Sequence, residues 1–191
     1  MALVLSGDGT VTGLAVGGLP DGTVDAGTLA TDSVTAAKLE ASAITGADLP
    51  AGSVLQVVNA IHDSIFNTTS TTYADTGIQA TITPSNTSSD ILVLVTVPLR
   101  KHNTSNGDSS GHIKLLRGST TLEEFGRYMA WNNTANNYAQ ESVSFCYKDT
   151  AANTTSATTY KVQLKTNVSS SGVNSCHDSA QASITLMEIA G

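Results

Sequence analysis

The pattern of hydrophobic and polar positions changes character along the chain. From Gly22 to Ser53 it repeats every ten residues, with a branched residue at Val24, Val34, Ile44 and Val54 and a leucine at Leu29, Leu39 and Leu49. Gly, Ala, Ser, Thr and Asp fill most of the positions between. Two apolar positions per repeat make a thin stripe, too little to offset an ordering cost of about 1–2 kcal/mol per residue. One repeat cannot bury its own apolar face. The segment is therefore either a linker or a stripe that faces copies of itself about an axis. The strict register favours the axial reading, and the small residues allow close approach. Residues 23–25, 33–35 and 43–45 are extended in character. Asp25, Thr35 or Thr45 would then N-cap a single helical turn that ends near the leucine.

From Val54 the period becomes two. Ser53–Ile61, Ile78–Thr83, Ile91–Val97, His112–Leu116, Thr120–Phe125, Tyr138–Lys148, Thr159–Val168 and Ala182–Ile189 read as strands. Ile91–Val97 is almost wholly apolar, which predicts a central strand covered on both faces. Polar connections are expected at His102–Gly111, Asn132–Asn137, Asp149–Thr158 and Ser169–Asp178. About eight strands with turns between them predict an antiparallel β-sandwich, jelly-roll-like. The chain is thus expected to be all-β, with a head domain over 54–191 behind a repeat stalk over 22–53.

Residues 1–21 differ from both. Leu3, Val4, Leu5, Val11, Leu14, Val16 and Leu19 are interspersed with glycines. Such dense glycine gives little autonomous structure, so this arm is expected to order by docking on a larger assembly. Pro20-Asp21-Gly22 turns the chain from arm to stalk, and Pro50-Ala51-Gly52 closes the repeat.

Composition sharpens this picture. Of 191 residues, 13% are charged and 5% aromatic, while Ser, Thr, Asn and Gly abound, a balance that favours strands and turns over helices. The net charge is −7, and it is unevenly placed. Before Arg100 nine acids face the single Lys38, and from Arg100 onward eight bases face seven acids. No basic stripe exists to neutralise phosphates, which argues against nucleic-acid binding. No stretch reaches the roughly 18 apolar residues of a membrane span. The apolar opening lacks a basic segment and breaks at Ser6-Gly7-Asp8-Gly9, so it does not read as a secretion signal. Synthesis in a cytosol, followed by release within a particle, is the expectation.

Short motifs throughout the chain carry a resemblance. Met1-Ala2-Leu3-Val4-Leu5-Ser6-Gly7-Asp8-Gly9-Thr10, Leu19-Pro20-Asp21-Gly22-Thr23-Val24 and Thr35-Ala36-Ala37-Lys38-Leu39 resemble fibre proteins of tailed bacteriophages. Gly52-Ser53-Val54-Leu55-Gln56-Val57-Val58, Tyr73-Ala74-Asp75-Thr76-Gly77, Ile113-Lys114-Leu115-Leu116-Arg117-Gly118 and Ser183-Ile184-Thr185-Leu186-Met187-Glu188-Ile189 are similar to their tip domains. The resemblance implies a homotrimeric virion protein, assembled in the host cytoplasm: N-terminal attachment, repeat stalk, β-rich head. It implies as partners another virion protein (tail, baseplate or major capsid protein) through residues 1–21, and a host surface glycan or protein at the head. A stalk of about thirty residues spans at most roughly 100 Å at about 3.3 Å per residue. That is short for a host-reaching fibre. A capsid decoration or head fibre, a cement protein on the major capsid shell, is the alternative to a tail fibre.

Catalytic chemistry finds no support. His62, His102, His112 and His177 show no metal-ligand spacing with each other or with Cys146 and Cys176. No cofactor or metal is implied. Cys146 and Cys176 are either independent thiols or a disulfide formed after release. Glu123-Glu124 are adjacent, so in a strand they face opposite ways and form no carboxylate dyad. Fibre-like phage proteins can carry glycan-cleaving domains, but one Trp and three Phe leave little to build a saccharide groove. The chain reads as a non-enzyme. Tyr128, Trp131 and Tyr138 flank the Asn-rich connection that begins at Asn132. Aromatic rings beside such loops are what sugar stacking uses, and packing at the sandwich edge is the alternative.

Overall fold

A computed structural model of the protein describes residues 4–5, 11–12, 29, 31–35, 39–40, 44–103, 109–134, 136–169 and 171–191. The chain divides into two compact units, Met1–Ile44 and Thr45–Gly191. In the first, β1 (Val4–Leu5) pairs antiparallel with β2 (Val11–Thr12), Leu5 opposite Val11. Two residues per strand lie far below what an isolated hairpin needs for stability. Leu3, Leu14, Val16, Leu19 and Val24 lie outside the described residues.

The second unit is a sandwich of two antiparallel sheets. Its strands are β3 (Val54–His62), β4 (Phe66–Thr68), β5 (Ala74–Ile82), β6 (Asp90–Asn103) and β7 (Ser109–Arg117). β8 (Thr120–Asn132), β9 (Asn137–Asp149), β10 (Thr158–Thr166), β11 (Ser171–Ser175) and β12 (Ala182–Ile189) follow. One sheet has the order β5-β10-β7-β8. The other is built on β6, whose fourteen residues are long enough to serve two partners on one edge. Asp90–Thr96 pair with β12, and Leu99–Asn103 pair with β11. β9 runs along the whole opposite edge, from Ile91↔Asp149 to Asn103↔Asn137. β3 flanks β12 and β4 flanks β11. Helix among the described residues is limited to two 3-10 turns, Gly46–Asp48 and His177–Ser179.

The period-two pattern produces the core directly. Ile78, Ile82, Ile91, Val93, Ile113, Leu115, Val162, Leu164, Ile184 and Leu186 face inward from both sheets and are buried. Two expectations are corrected here. β6 is central, but only one of its faces is covered: Ile91, Val93 and Val95 are buried, whereas Leu94 stays 36% exposed. Its apolar run reflects one core face and one uncovered face. The second correction is that Ser169–Asp178 is not a plain connection. It contains β11, a strand with Val173 as its only large apolar residue, which borrows its backbone partners from β6 and β4.

The boundary drawn at residue 53 by composition differs from the contact boundary between Ile44 and Thr45. The last repeat is tied to the sandwich. Gly52 N–H donates to the Ala190 carbonyl at 2.7 Å, and Ala190 N–H donates to Ser53 O at 2.8 Å. Gly52 adopts φ +90°, a conformation that suits glycine. In that repeat the helical turn is present as Gly46–Asp48, with Thr45 extended at its N-cap. The Asp48 carboxylate accepts from Thr45 N–H (2.8 Å) and Thr45 Oγ1–H (2.7 Å), which lowers its pKa.

Candidate functional site

The repeat positions come first, because their environment is unusual. Leu29, Val34, Leu39, Ile44, Leu49 and Val54 are 44, 53, 45, 56, 39 and 52% exposed. None is covered by its own chain to the extent a core residue is. Single exposed leucines are unremarkable on a protein surface, but here the described repeat positions of both units, Leu29 to Ile44 in the first and Leu49 and Val54 in the second, are all exposed.

The aromatic candidates separate. Tyr128, Trp131 and Asn132 belong to β8 in one sheet, and Tyr138 belongs to β9 in the other. The connection between them is only residues 133–136, because both strands run further than their apolar content announces. Trp131 is exposed. Tyr138 is exposed too, but its ring is engaged: it stacks on His102 at 4.6 Å and lies 4.8 Å from the Arg100 guanidinium. Register explains the first contact, since His102 and Tyr138 are cross-strand neighbours. His102 meets Tyr138, so its stacking partner is an aromatic ring.

Arg100 marks a cleft of about 350 Å³ on the outer side of the β6–β9 pair. Pro98, Arg100, Gln140, Glu141, Ser142, His177 and Asp178 line it. Its roof is the turn between β11 and β12. Those strands lie end to end along one edge of β6, so the chain between them must leave the sheet and return within a few residues. Cys176 (φ +55°), Asp178 (φ +55°) and Ser179 (φ +64°) all adopt the left-handed region to do so. Each costs of order 1 kcal/mol in a non-glycine residue. Cys176 N–H donates to Pro98 O at 3.2 Å, and its thiol donates to His62 O at 3.4 Å, which pins the turn. Asp178 Oδ2 then sits 2.7 Å from His177 Nδ1 and 3.8 Å from Arg100 Nη1. The Arg100 Nε donor is buried without a hydrogen-bond partner. A guanidinium, a carboxylate, an imidazole and an amide around one cleft can hydrogen-bond a polyhydroxylated ligand. Sequence reading missed this cleft: Arg100, His177 and Asp178 meet only through the pairing of β6 with β11.

Below the cleft the same outer face changes character. Cross-strand register lays Val57, Met187, Leu92 and Lys148 in one row, then Asn59, Thr185, Leu94 and Cys146, then Ile61, Ser183, Thr96 and Ser144. Its polar groups satisfy one another: Asn59 Nδ2 donates to Thr185 Oγ1 at 2.8 Å, and the Thr96 and Ser144 hydroxyls pair at 3.0 Å. The first charges appear at its margin, as the Lys148–Asp90 ion pair. The outer face of the other sheet is different. There Lys161 and Gln163 contact Asp75 at 2.8 and 2.6 Å, and Lys114 and Lys165 sit over the Tyr73 ring.

Two buried charged groups lie on β6 and β12. Glu188 accepts from Gln56 Nε2 (2.6 Å), Ser85 N–H, Ser85 Oγ and Ser89 Oγ (2.7 Å each). Burial raises its pKa, but these hydrogen bonds together outweigh it and hold the carboxylate below its ordinary value. Lys101 is fully buried, with Gly172 O as its acceptor at 3.2 Å. Burial lowers its ammonium to about 8. Cys146 and Cys176 are free thiols, one exposed and one buried, so they form no disulfide. Glu123 and Glu124 are both exposed on β8. No group of three or more His, Cys, Asp or Glu side chains is placed to hold a metal among the described residues.

No protein-family model and no curated protein matches the chain. Among solved structures, one of infectious bursal disease virus, Gt strain, is 13% identical with a TM-score of 0.31. The match covers 72% of this chain and 41% of that one, and is too distant to bear on fold or function.

Proposed function

We propose that this chain is a structural protein of a bacteriophage virion: a short homotrimeric tail fibre that attaches through residues 1–21 and presents its sandwich for host-surface recognition. The observation that carries the reading is the exposure of the described repeat positions from Leu29 to Val54. Apolar side chains exposed at a ten-residue period gain stability by burial, and an equivalent repeat on another copy matches their spacing. Self-association follows from that stripe, and the number three rests on the resemblance to fibre proteins. The strand orders β3-β12-β6-β9 and β5-β10-β7-β8 support a jelly roll as the finer description of the head. The Arg100 cleft is the place where the head would meet a saccharide.

The test is absolute mass by light scattering after gel filtration. The full-length chain is expected at three times its 19.6 kDa. The double variant Val34→Asp/Ile44→Asp should dissociate, because it brings like charges together at each level of the axis. A double variant with the parent's mass would sink the axial stripe. A capsid decoration protein shares the same stalk physics, and the short reach of residues 22–53 favours it as the second reading. Binding of the full-length protein to host cells distinguishes them: it is expected for the fibre and absent for the decoration protein.

A further inference from the structure

We infer that the uncharged stretch of the outer face of β3-β12-β6-β9, between the Arg100 cleft and the Lys148–Asp90 ion pair, is a contact surface between copies of this same chain. This rests on the self-association proposed for the repeat and extends it to a second surface. Three observations point to an identical copy as the occupant. The chain carries a net charge of −7, so copies repel, and an uncharged contact adds no close like-charge pair to that repulsion. Inside the Lys148–Asp90 ion pair at its margin this stretch carries no charged side chain, while the outer face of the other sheet carries Asp75, Lys114, Lys161 and Lys165. Its polar atoms are already paired within the plane, Asn59 with Thr185 and Thr96 with Ser144, so covering it strands few donors or acceptors.

Continuity is the third observation. Val54, the last repeat position, opens β3, and Val57 (55% exposed) and Ile61 (62%) continue the exposed edge onto this face. A copy that covers Val54 would lie beside this face. Size sets the division of labour. Four strands spaced about 4.8 Å apart and about seven residues of about 3.4 Å cover on the order of 450 Å². A stable interface buries about 800 Å² per partner. The face is therefore an auxiliary contact, effective between copies that the repeat already holds together.

Cys146 lies on this face and Cys176 is buried, so thiol labelling reads coverage at a single position. The experiment reacts native full-length protein with a maleimide, alongside its mass by light scattering. Val57→Asp is the disrupting variant, and Val57→Asn repeats it without a charge. Val57 is three strands from Cys146, about 14 Å at the usual spacing, so neither substitution touches the thiol. A sharp thermal transition in both confirms that they are folded. The expected result is labelling of the wild-type oligomer about tenfold slower than of either variant. Equal rates in an intact wild-type oligomer overturn the inference while the repeat reading stands. If Val34→Asp/Ile44→Asp stays associated with Cys146 protected, the repeat reading falls and the face is the interface. A monomeric wild type whose Cys146 labels freely overturns both.

Discussion

Buried charges decide more at single positions than the surface does. Lys101 is the clearest case. Its folded-state value near 8 lies below the ordinary lysine value of 10.5, so folding releases its proton over that interval. The penalty of burying the ammonium is complete below about pH 8. Stability should therefore rise between pH 8 and 10.5 at roughly 1.4 kcal/mol per pH unit. Lys101→Met should abolish that rise and add about 2 kcal/mol at neutral pH. Urea denaturation of both proteins across pH 7–10 measures it, and a flat wild-type profile would contradict the assignment. Glu188 has the opposite sign. Its lowered value means that its stabilisation is full above the ordinary 4.5 and is lost as pH falls below it. Glu188→Gln should flatten that acid limb. A third buried group is Asp149, which accepts from Arg117 Nη1 at 2.8 and 2.7 Å and from Tyr160 Oη at 2.7 Å. Burial and that hydrogen bond raise the Tyr160 pKa, keeping it a donor. Asp149→Asn leaves the guanidinium without its counter-charge and should cost about 3 kcal/mol, read as a fall in the denaturation midpoint. None of these pairings was visible in sequence, where Asp149 and Arg117 stand at the ends of different strands.

At the scale of elements, the pleat and the turns govern what forms. The eight expected strands are all present, because alternation with one buried face is a strong local signal. β4 and β11 were missed for the reason that they form at all: they contribute few apolar side chains and owe their shape to pairing with β6 and each other. β5 shows how a local irregularity is accommodated. Its register with β10 shifts between Lys161 and Gln163, and Gly77 at that point takes φ +85°. Thr76 Oγ1 donates to Val162 O at 2.8 Å and accepts from Ile78 N–H at 3.1 Å, satisfying backbone groups the shift displaces. A Cβ at Gly77 would come within 2.8 Å of the His62 ring. Gly77→Ala should therefore destabilise by about 1–2 kcal/mol. An unchanged midpoint would mean that His62 swings aside and that the backbone there relaxes without cost.

For the whole molecule, the governing fact is an imbalance between the two outer faces of the sandwich and a repeat left uncovered. Both belong to the proposed self-association. The repeat predicts concentration-dependent mass that Val34→Asp/Ile44→Asp removes, and the neutral face predicts a protected Cys146 in the assembled protein. Thermal stability should likewise increase with protein concentration, as association of the folded state requires. A melting temperature unchanged over a hundredfold dilution would argue that the head stands alone.

The sequence by itself determined the periodicities: ten residues in the stalk and two in the head, and hence an all-β chain. It determined these because periodicity is local, carried by the order of side chains along one strand. Only the tertiary structure decided that the polar run before Cys176 is a strand, that Arg100 and Asp178 share a cleft, and that Leu94 faces outward in a neutral row. Those facts depend on cross-strand register. Register joins residues 34 to 135 positions apart through backbone hydrogen bonds that are chemically alike at every residue. No side-chain pattern along one strand can specify which of them will be neighbours.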